Sequence, residues 1–174
     1  MLDVQRGSRE AFVELFERYR GPIWRFFRRR VADPARSEEL AQDVFLAVLQ
    51  GTTRYEPRAS FRSYLFAIAF NLLLADRRKT AHHPVETLDS DPPASRTDLD
   101  TALWVRRALE SLDPRDREIL MLREYEQLTY EDIALVLRLP VNTVRSRLFR
   151  ARMALRALFE QPHARSAKVG HAGR

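Results

Sequence analysis

No cysteine occurs in the 174 residues. A disulfide framework, a thiolate metal site and a cysteine nucleophile are therefore all excluded, and a reducing cytoplasm is the compartment that fits. Long apolar runs are missing too. The most apolar stretch, Tyr64 to Ala75, is interrupted by Asn71 and falls well short of the ~20 residues that span a bilayer, so it reads as a buried helix and no membrane insertion is expected. The first thirty residues are charged throughout, and no signal peptide is expected. Clustered catalytic acids are equally lacking: the carboxylates are scattered over solvent faces and one acidic stretch. His82 and His83 lie near aspartates, but adjacent histidines in a flexible segment seldom make a coordination shell. No catalytic residue, no metal and no cofactor is expected, and a hydrolase is disfavoured.

What the chain does have is positive charge, +6 net with an isoelectric point near 10.3, which points to a polyanionic partner. Nearly all of that charge is arginine, a bias that a GC-rich genome also produces and that carries no functional weight.

Helical periodicity runs through most of the sequence and predicts an all-α chain of two small domains. Ser8 caps a first helix with Phe12, Leu15, Phe16 and Tyr19 on one face; Gly21 and Pro22 are expected to break it, and a second helix carries Ile23, Phe26, Phe27 and Val31 inward until Asp33 and Pro34. Ser37, Glu38 and Glu39 start a third helix, running to about Gln50, whose core stripe is Leu40, Val44, Ala47 and Val48. Phe45, Leu46 and Leu49 make it apolar over more of its circumference than one buried face requires. Burial between neighbours in a bundle and contact with a partner both account for that surplus.

A loop with Tyr55 and Pro57 follows, and Ser60 caps a long helix through about Lys79, with Phe61, Leu65, Ile68, Ala69 and Leu72 as its stripe and Arg77, Arg78 and Lys79 at its end. An aromatic loop beside a basic helix end suits stacking of unpaired bases; it also suits an ordinary half-buried loop. Residues 80–100 lose periodicity and read as an acidic, proline-containing linker. Beyond it, Leu103 to Leu112 forms a helix, Asp113, Pro114 and Asp116 start another, and residues 161–174 read as a disordered tail.

Leu128 to Arg152 is the most informative stretch. Thr129 and Asp132 form a capping box, Ile133, Ala134 and Leu137 face inward, Arg138 to Pro140 interrupt, and Val144, Leu148 and Ala151 resume the stripe. This is helix, tight turn, helix, and it resembles the helix-turn-helix whose second helix enters the DNA major groove. Arg138 stands where the turn commonly has glycine. Taking Val144 as inward, the outward face carries Asn142, Ser146, Phe149 and Arg150, flanked by Arg145 and Arg147. From Arg138 to Arg156 every charged residue is an arginine, which reads as an undiluted positive field. Phe149 suits a thymine methyl, and Arg145 or Arg150 suits guanine edges.

Three ordered blocks, SEELAQDVFLAVL, ASFRSYLFAIAFNLLLADRRK and ALESLDPRDREILMLREYEQLTYEDIALVLRLPVNTVRSRLFRAR, resemble the extracytoplasmic-function (ECF) branch of the sigma-70 family. The resemblance covers most of Ser8 to Phe159. It implies a sigma-2 domain at 8–79, a linker at 80–100 and a sigma-4 domain at 101–160, acting together as a cytoplasmic promoter-specificity subunit and not as an enzyme.

By resemblance, Glu38, Glu39, Gln42, Asp43, Phe45 and Leu49 dock on the clamp helices of the largest subunit of core RNA polymerase, and the second domain meets the flap. Tyr55, Ser60, Asn71, Arg77 and Arg78 take the minus-ten element of promoter DNA and help to melt it. Two positions depart from the family: Tyr64 replaces its usual tryptophan, and Phe70 a frequent basic residue. Arg145, Ser146, Phe149 and Arg150, with Asn142 beside them, read the minus-thirty-five element, while Tyr130, Thr143 and Arg147 contact phosphates. The family also implies an anti-sigma factor, often membrane-bound. The alternative is a stand-alone helix-turn-helix regulator that binds its operator without polymerase.

Overall fold

In a computed structural model, residues 1–57, 59–80 and 96–160 are described, and they contain eight α-helices and one 3-10 turn. The helices are α1 (Leu2–Gln5), α2 (Arg9–Arg28), α3 (Pro34–Gln50), α4 (Phe61–Thr80), α5 (Arg96–Glu110), α6 (Pro114–Glu124), α7 (Tyr130–Leu137) and α8 (Val141–Glu160), with the 3-10 turn at Thr52–Arg54. No strand occurs among these residues, as the all-α reading requires. Arg58, the stretch 81–95 with His82 and His83, and the tail from residue 161 lie outside the described residues.

Two local expectations are corrected. Gly21 and Pro22 do not break the first helix; α2 runs through Pro22 to Arg28. An internal proline costs about 3 kcal/mol, but Ile23, Phe26 and Phe27 just beyond it are fully buried, and burying such side chains returns about 1.5–3 kcal/mol each. Asp33 and Pro34 do not end a helix either. They start α3, the Asp33 carboxylate accepting from the Ala35 amide at 2.9 Å with Pro34 in the first turn, the arrangement a missing proline N–H permits. The short α1 was not foreseen. Its Gln5 side chain donates to the Thr52 and Tyr55 carbonyls at 2.6 and 2.8 Å and so pins the loop before α4.

In the first half α2, α3 and α4 pack around Ile23, Phe26, Phe27, Leu40, Val44, Leu65 and Phe66. In the second, α6, α7 and α8 pack around Ile119, Leu122, Leu128, Ile133, Val144 and Leu148. The two cores join in one cluster, because α4 packs on α7 as well as on α3. This placement corrects the stripe expected for α4: Leu65, Phe66, Ala69 and Leu73 are fully buried, whereas Ile68 and Leu72 are half-buried. A helix covered on two sides has no single apolar direction, so no one face can be read from its periodicity.

Polar contacts seal the junction between the halves. The Arg30 side chain, 1% exposed, donates to Glu118 at 2.8 Å and to Glu126 at 3.2 Å. Arg29 adds a bond to Glu126 at 3.4 Å, and Arg62 donates to the Glu126 carbonyl at 2.6 Å. Burial is the main influence on the Glu126 carboxyl and raises its pKa, with Arg30 and Arg29 opposing. One carboxylate serves both halves: Asp132 completes the α7 capping box with Thr129 and also accepts from Ser63, at the start of α4.

Candidate nucleic-acid interface

The turn between α7 and α8 is built as the sequence suggests. Leu139 donates its amide to the Ala134 carbonyl at 2.9 Å, and Arg138 takes a left-handed conformation, φ 54°, to close α7. A side chain there carries a steric cost that glycine would avoid. Ala134, Val144, Leu148 and Ala151 are buried, which fixes the rotation of α8. Asn142, Arg145, Ser146, Phe149 and Arg150 consequently share its exposed face. Phe149 is 65% exposed, the most exposed large apolar side chain in the described chain. Ser146 is tied back to the Thr143 carbonyl at 3.1 Å, and Arg145 reaches Asn142 at 3.5 Å.

The three residues assigned to phosphates are placed differently from one another. Thr143 and Tyr130 are half-buried, Tyr130 lying under the Arg123 guanidinium at 5.3 Å. Arg147 turns back onto α6, its Nη1 donating to Asp116 at 2.9 Å and lying 3.7 Å from Asp113. The field of α8 is therefore not undiluted: Asp116 also meets the Arg150 Nε at 3.4 Å, and Glu124 meets Arg152 at 2.7 Å. Sequence reasoning missed these acids as partners because they belong to α6, about thirty residues earlier, and no local signal marks them.

The residues assigned to the minus-ten element do not form one surface in this arrangement. Asn71, Arg77 and Arg78 are exposed along α4. Arg77 keeps its outer surface, yet desolvation lowers its pKa, aided by Arg30 and Arg117 and opposed by Glu118 and Asp76. Ser60 caps α4 by accepting from the Ser63 amide at 3.1 Å, and its hydroxyl lies 3.5 Å from Asp132 of the other half. Tyr55 is buried, its ring set edge-on to Tyr64 at 4.9 Å and to Phe61 at 6.3 Å, and burial raises the pKa of its phenol. Gly51 supports that cluster by being glycine, since a Cβ there would lie 2.9 Å from the Tyr64 hydroxyl.

On α3, Glu38, Glu39, Gln42 and Leu49 are exposed, Asp43 is half-buried and Phe45 is buried against Phe16, with ring centroids 4.9 Å apart. The surplus apolar surface of this helix is carried by Leu46 and Leu49, 53% and 42% exposed, rather than by Phe45. A groove of about 480 Å³ lies between α2 and α3, lined among others by Trp24, Arg25, Glu38, Gln42 and Phe45.

The family models now decide what this arrangement is. Residues 15–83 match the model for Sigma-70 region 2, and residues 102–155 match Sigma-70, region 4. The chain belongs to the ECF branch of the sigma-70 family. It is 34% identical over 170 residues to the RNA polymerase sigma-H factor of Pseudomonas aeruginosa, covering 87% of this chain and 88% of the relative. It is 32% identical to RNA polymerase sigma factor CarQ of Myxococcus xanthus, covering 87% and 91%, and 29% identical to the ECF RNA polymerase sigma-E factor of Escherichia coli K12, covering 87% and 88%. Among solved structures, CnrH in complex with the cytosolic domain of CnrY superposes with a TM-score of 0.69 at 25% identity, over 90% of this chain and 92% of that one. The sigma factor RpoE of Bartonella quintana, in complex with the anti-sigma factor NepR, shares the fold, with a TM-score of 0.72 at 23% identity over 88% and 99%. ECF sigma factors direct RNA polymerase to promoters, and they are DNA-binding initiation factors rather than catalysts. Among the described residues no three His, Cys, Asp or Glu side chains form a group able to hold a metal, and no helix is long and apolar enough to cross a membrane.

Proposed function

We propose that this sigma factor docks on core RNA polymerase through α3, reads a minus-thirty-five element with α8, and traps the melted minus-ten element with α4 and the loop before it. The observation that carries the reading is the exposed face of α8. Base-reading chemistry is gathered there: two arginines for guanine edges, an asparagine and a serine, and a solvent-facing phenylalanine for a thymine methyl. Docking is supported by the exposed Leu46 and Leu49 beside Glu38, Glu39 and Gln42, an apolar centre with an acidic rim suited to a basic partner surface.

Melting needs no bond to be broken by the protein. Extruding a base costs a few kcal/mol, which stacking and hydrogen bonds in a pocket can return. Asn71, Arg77 and Arg78 are the exposed candidates on α4. Ser60 is occupied by the contact with the second half, and Tyr55 is covered by Tyr64 and Phe61. Promoter engagement therefore includes separating α4 from α7 and rearranging the aromatic loop. An anti-sigma partner of the kind bound by the Bartonella quintana relative would act by favouring the closed form, and the setting of all these steps is the cytoplasm.

The test is permanganate footprinting of holoenzyme, reconstituted from bacterial core polymerase and the full chain, on a promoter it transcribes. Thymines of the minus-ten element should become reactive with the wild-type protein, and reactivity should fall with Asn71→Ala while minus-thirty-five protection persists. Full reactivity in Asn71→Ala and in an Arg77→Ala, Arg78→Ala double variant would remove melting from α4.

A further inference from the structure

Asp116 belongs to none of the surfaces assigned above, yet it sits where it can govern one of them. It occupies the first turn of α6, where Asp113 caps the helix, and it is 8% exposed. Its two oxygens divide between two arginines of α8: Oδ1 accepts from Arg147 Nη1 at 2.9 Å, and Oδ2 faces Arg150 Nε at 3.4 Å. The two arginines differ in what remains. Arg147 is largely enclosed, with its Nε buried and without a hydrogen-bond partner, so it is committed to the junction between α6 and α8. The Arg150 side chain is 59% exposed and is held only through Nε; its two Nη groups have no other partner among the described residues.

An arginine held at Nε by a carboxylate presents the rest of its planar fork in a fixed direction, and a fork so held can meet both acceptors of a guanine edge. A free arginine must first lose rotamer freedom before it can meet those acceptors. Resting on the minus-thirty-five reading of α8, we infer that Asp116 is a positioning residue for promoter specificity: it sets the Arg150 guanidinium for one guanine, while Arg147 anchors the same carboxylate. Asp116 also subtracts one unit of charge from the DNA-facing side and so weakens indiscriminate attraction to phosphates. The two effects give it a signature that a residue of purely structural value lacks. Removing its charge lowers discrimination at one base pair and leaves overall attraction to DNA the same or stronger.

The experiment compares holoenzymes reconstituted from core polymerase and the full-length wild-type, Asp116→Asn and Arg150→Lys chains. Each is used to select from a promoter library randomised across the upstream element, and each is titrated against salt on the selected and on scrambled DNA. Wild-type protein should select an element with a guanine at one position. Asp116→Asn and Arg150→Lys should both lose preference at that position, by roughly tenfold, and keep it elsewhere, while Asp116→Asn binds scrambled DNA at least as well as wild type. Arg150→Lys guards against a folding defect, because it keeps the charge and leaves α6 untouched. Unchanged selection by Asp116→Asn, or an equal loss at every position, overturns the positioning role. Failure of the wild-type holoenzyme to select any upstream element overturns instead the assignment of α8, which separates the two ideas.

Discussion

Glu126→Ala tests whether the junction between the two halves holds the chain closed. The Glu126 carboxylate is met by Arg30, whose side chain is 1% exposed, and by Arg29, which is 21% exposed. Deleting one partner of a buried ion pair commonly costs about 3–5 kcal/mol, because the other charge is left without compensation. Two features lower that figure here. Glu118 remains on Arg30 at 2.8 Å, and the desolvation that raises the Glu126 pKa is itself relieved when the carboxylate goes. A loss of about 2 kcal/mol in closure is the expected result, about a thirtyfold shift toward the open form at 1.4 kcal/mol per factor of ten. The absence of cysteine makes the assay direct: Glu14→Cys on α2 and Ala154→Cys on α8 supply two unique labelling sites for energy transfer between the halves. Wild type should show one short distance and Glu126→Ala a substantial long-distance population at unchanged helix content. Glu126→Gln, which keeps an acceptor and loses the desolvation penalty, should move the balance by less than about 1 kcal/mol. An unchanged distance distribution in Glu126→Ala would refute the reasoning.

Other outcomes follow from the same contacts. Arg138→Gly should stabilise the helix-turn-helix by about 1 kcal/mol, read as a rise in thermal midpoint, since it removes the steric cost of the left-handed turn; a fall would show that the arginine makes a compensating contact. Ala134→Leu should destabilise by about 1–3 kcal/mol in urea unfolding, because the buried alanine sits at the α7–α8 junction. The junction should respond to pH in two opposite ways. Burial raises the folded pKa of Glu126, so its contribution is fully present below its unfolded pKa, about 4.3, and is lost as pH rises through the folded value. For Asp132 burial acts upward, but hydrogen bonds from Ser63, Thr129 and Ser60 outweigh it and lower the pKa. Its contribution is present above its unfolded pKa, about 3.9, and is lost as pH falls through the folded value. The urea midpoint should therefore rise on mild acidification and fall at lower pH, with Glu126→Gln removing the first change and Asp132→Asn the second.

Local chemistry explains which parts of this molecule could be read from its sequence. The rotation of α8 was legible because its buried and exposed residues alternate at helical spacing with one neighbour side, and Thr129 with Asp132 marks the start of α7 by a contact three residues long. Helix α4 was harder, since it is covered by α3 on one side and α7 on another. Proline misled twice, at Pro22 and Pro34, because whether it ends or starts a helix depends on the packing of residues such as Phe26 and Phe27 and on the Asp33 cap. The pairings of Asp116 with Arg147 and of Arg30 with Glu126 join residues far apart in the chain, and no periodicity reports them. The exposed apolar surface of α3 lies on two of the three residues its periodicity marks, Leu46 and Leu49, while the third, Phe45, is covered by Phe16, a ring contributed by another helix.

The most direct test of the central claim is run-off transcription of fragmented bacterial genomic DNA by purified core polymerase, with and without this protein, with mapping of every transcript start. New starts that appear only with the protein and share two upstream elements at a constant spacing are the expected result. No new starts, combined with tight binding of the protein alone to a palindromic site, would contradict it and identify a regulator that works without polymerase.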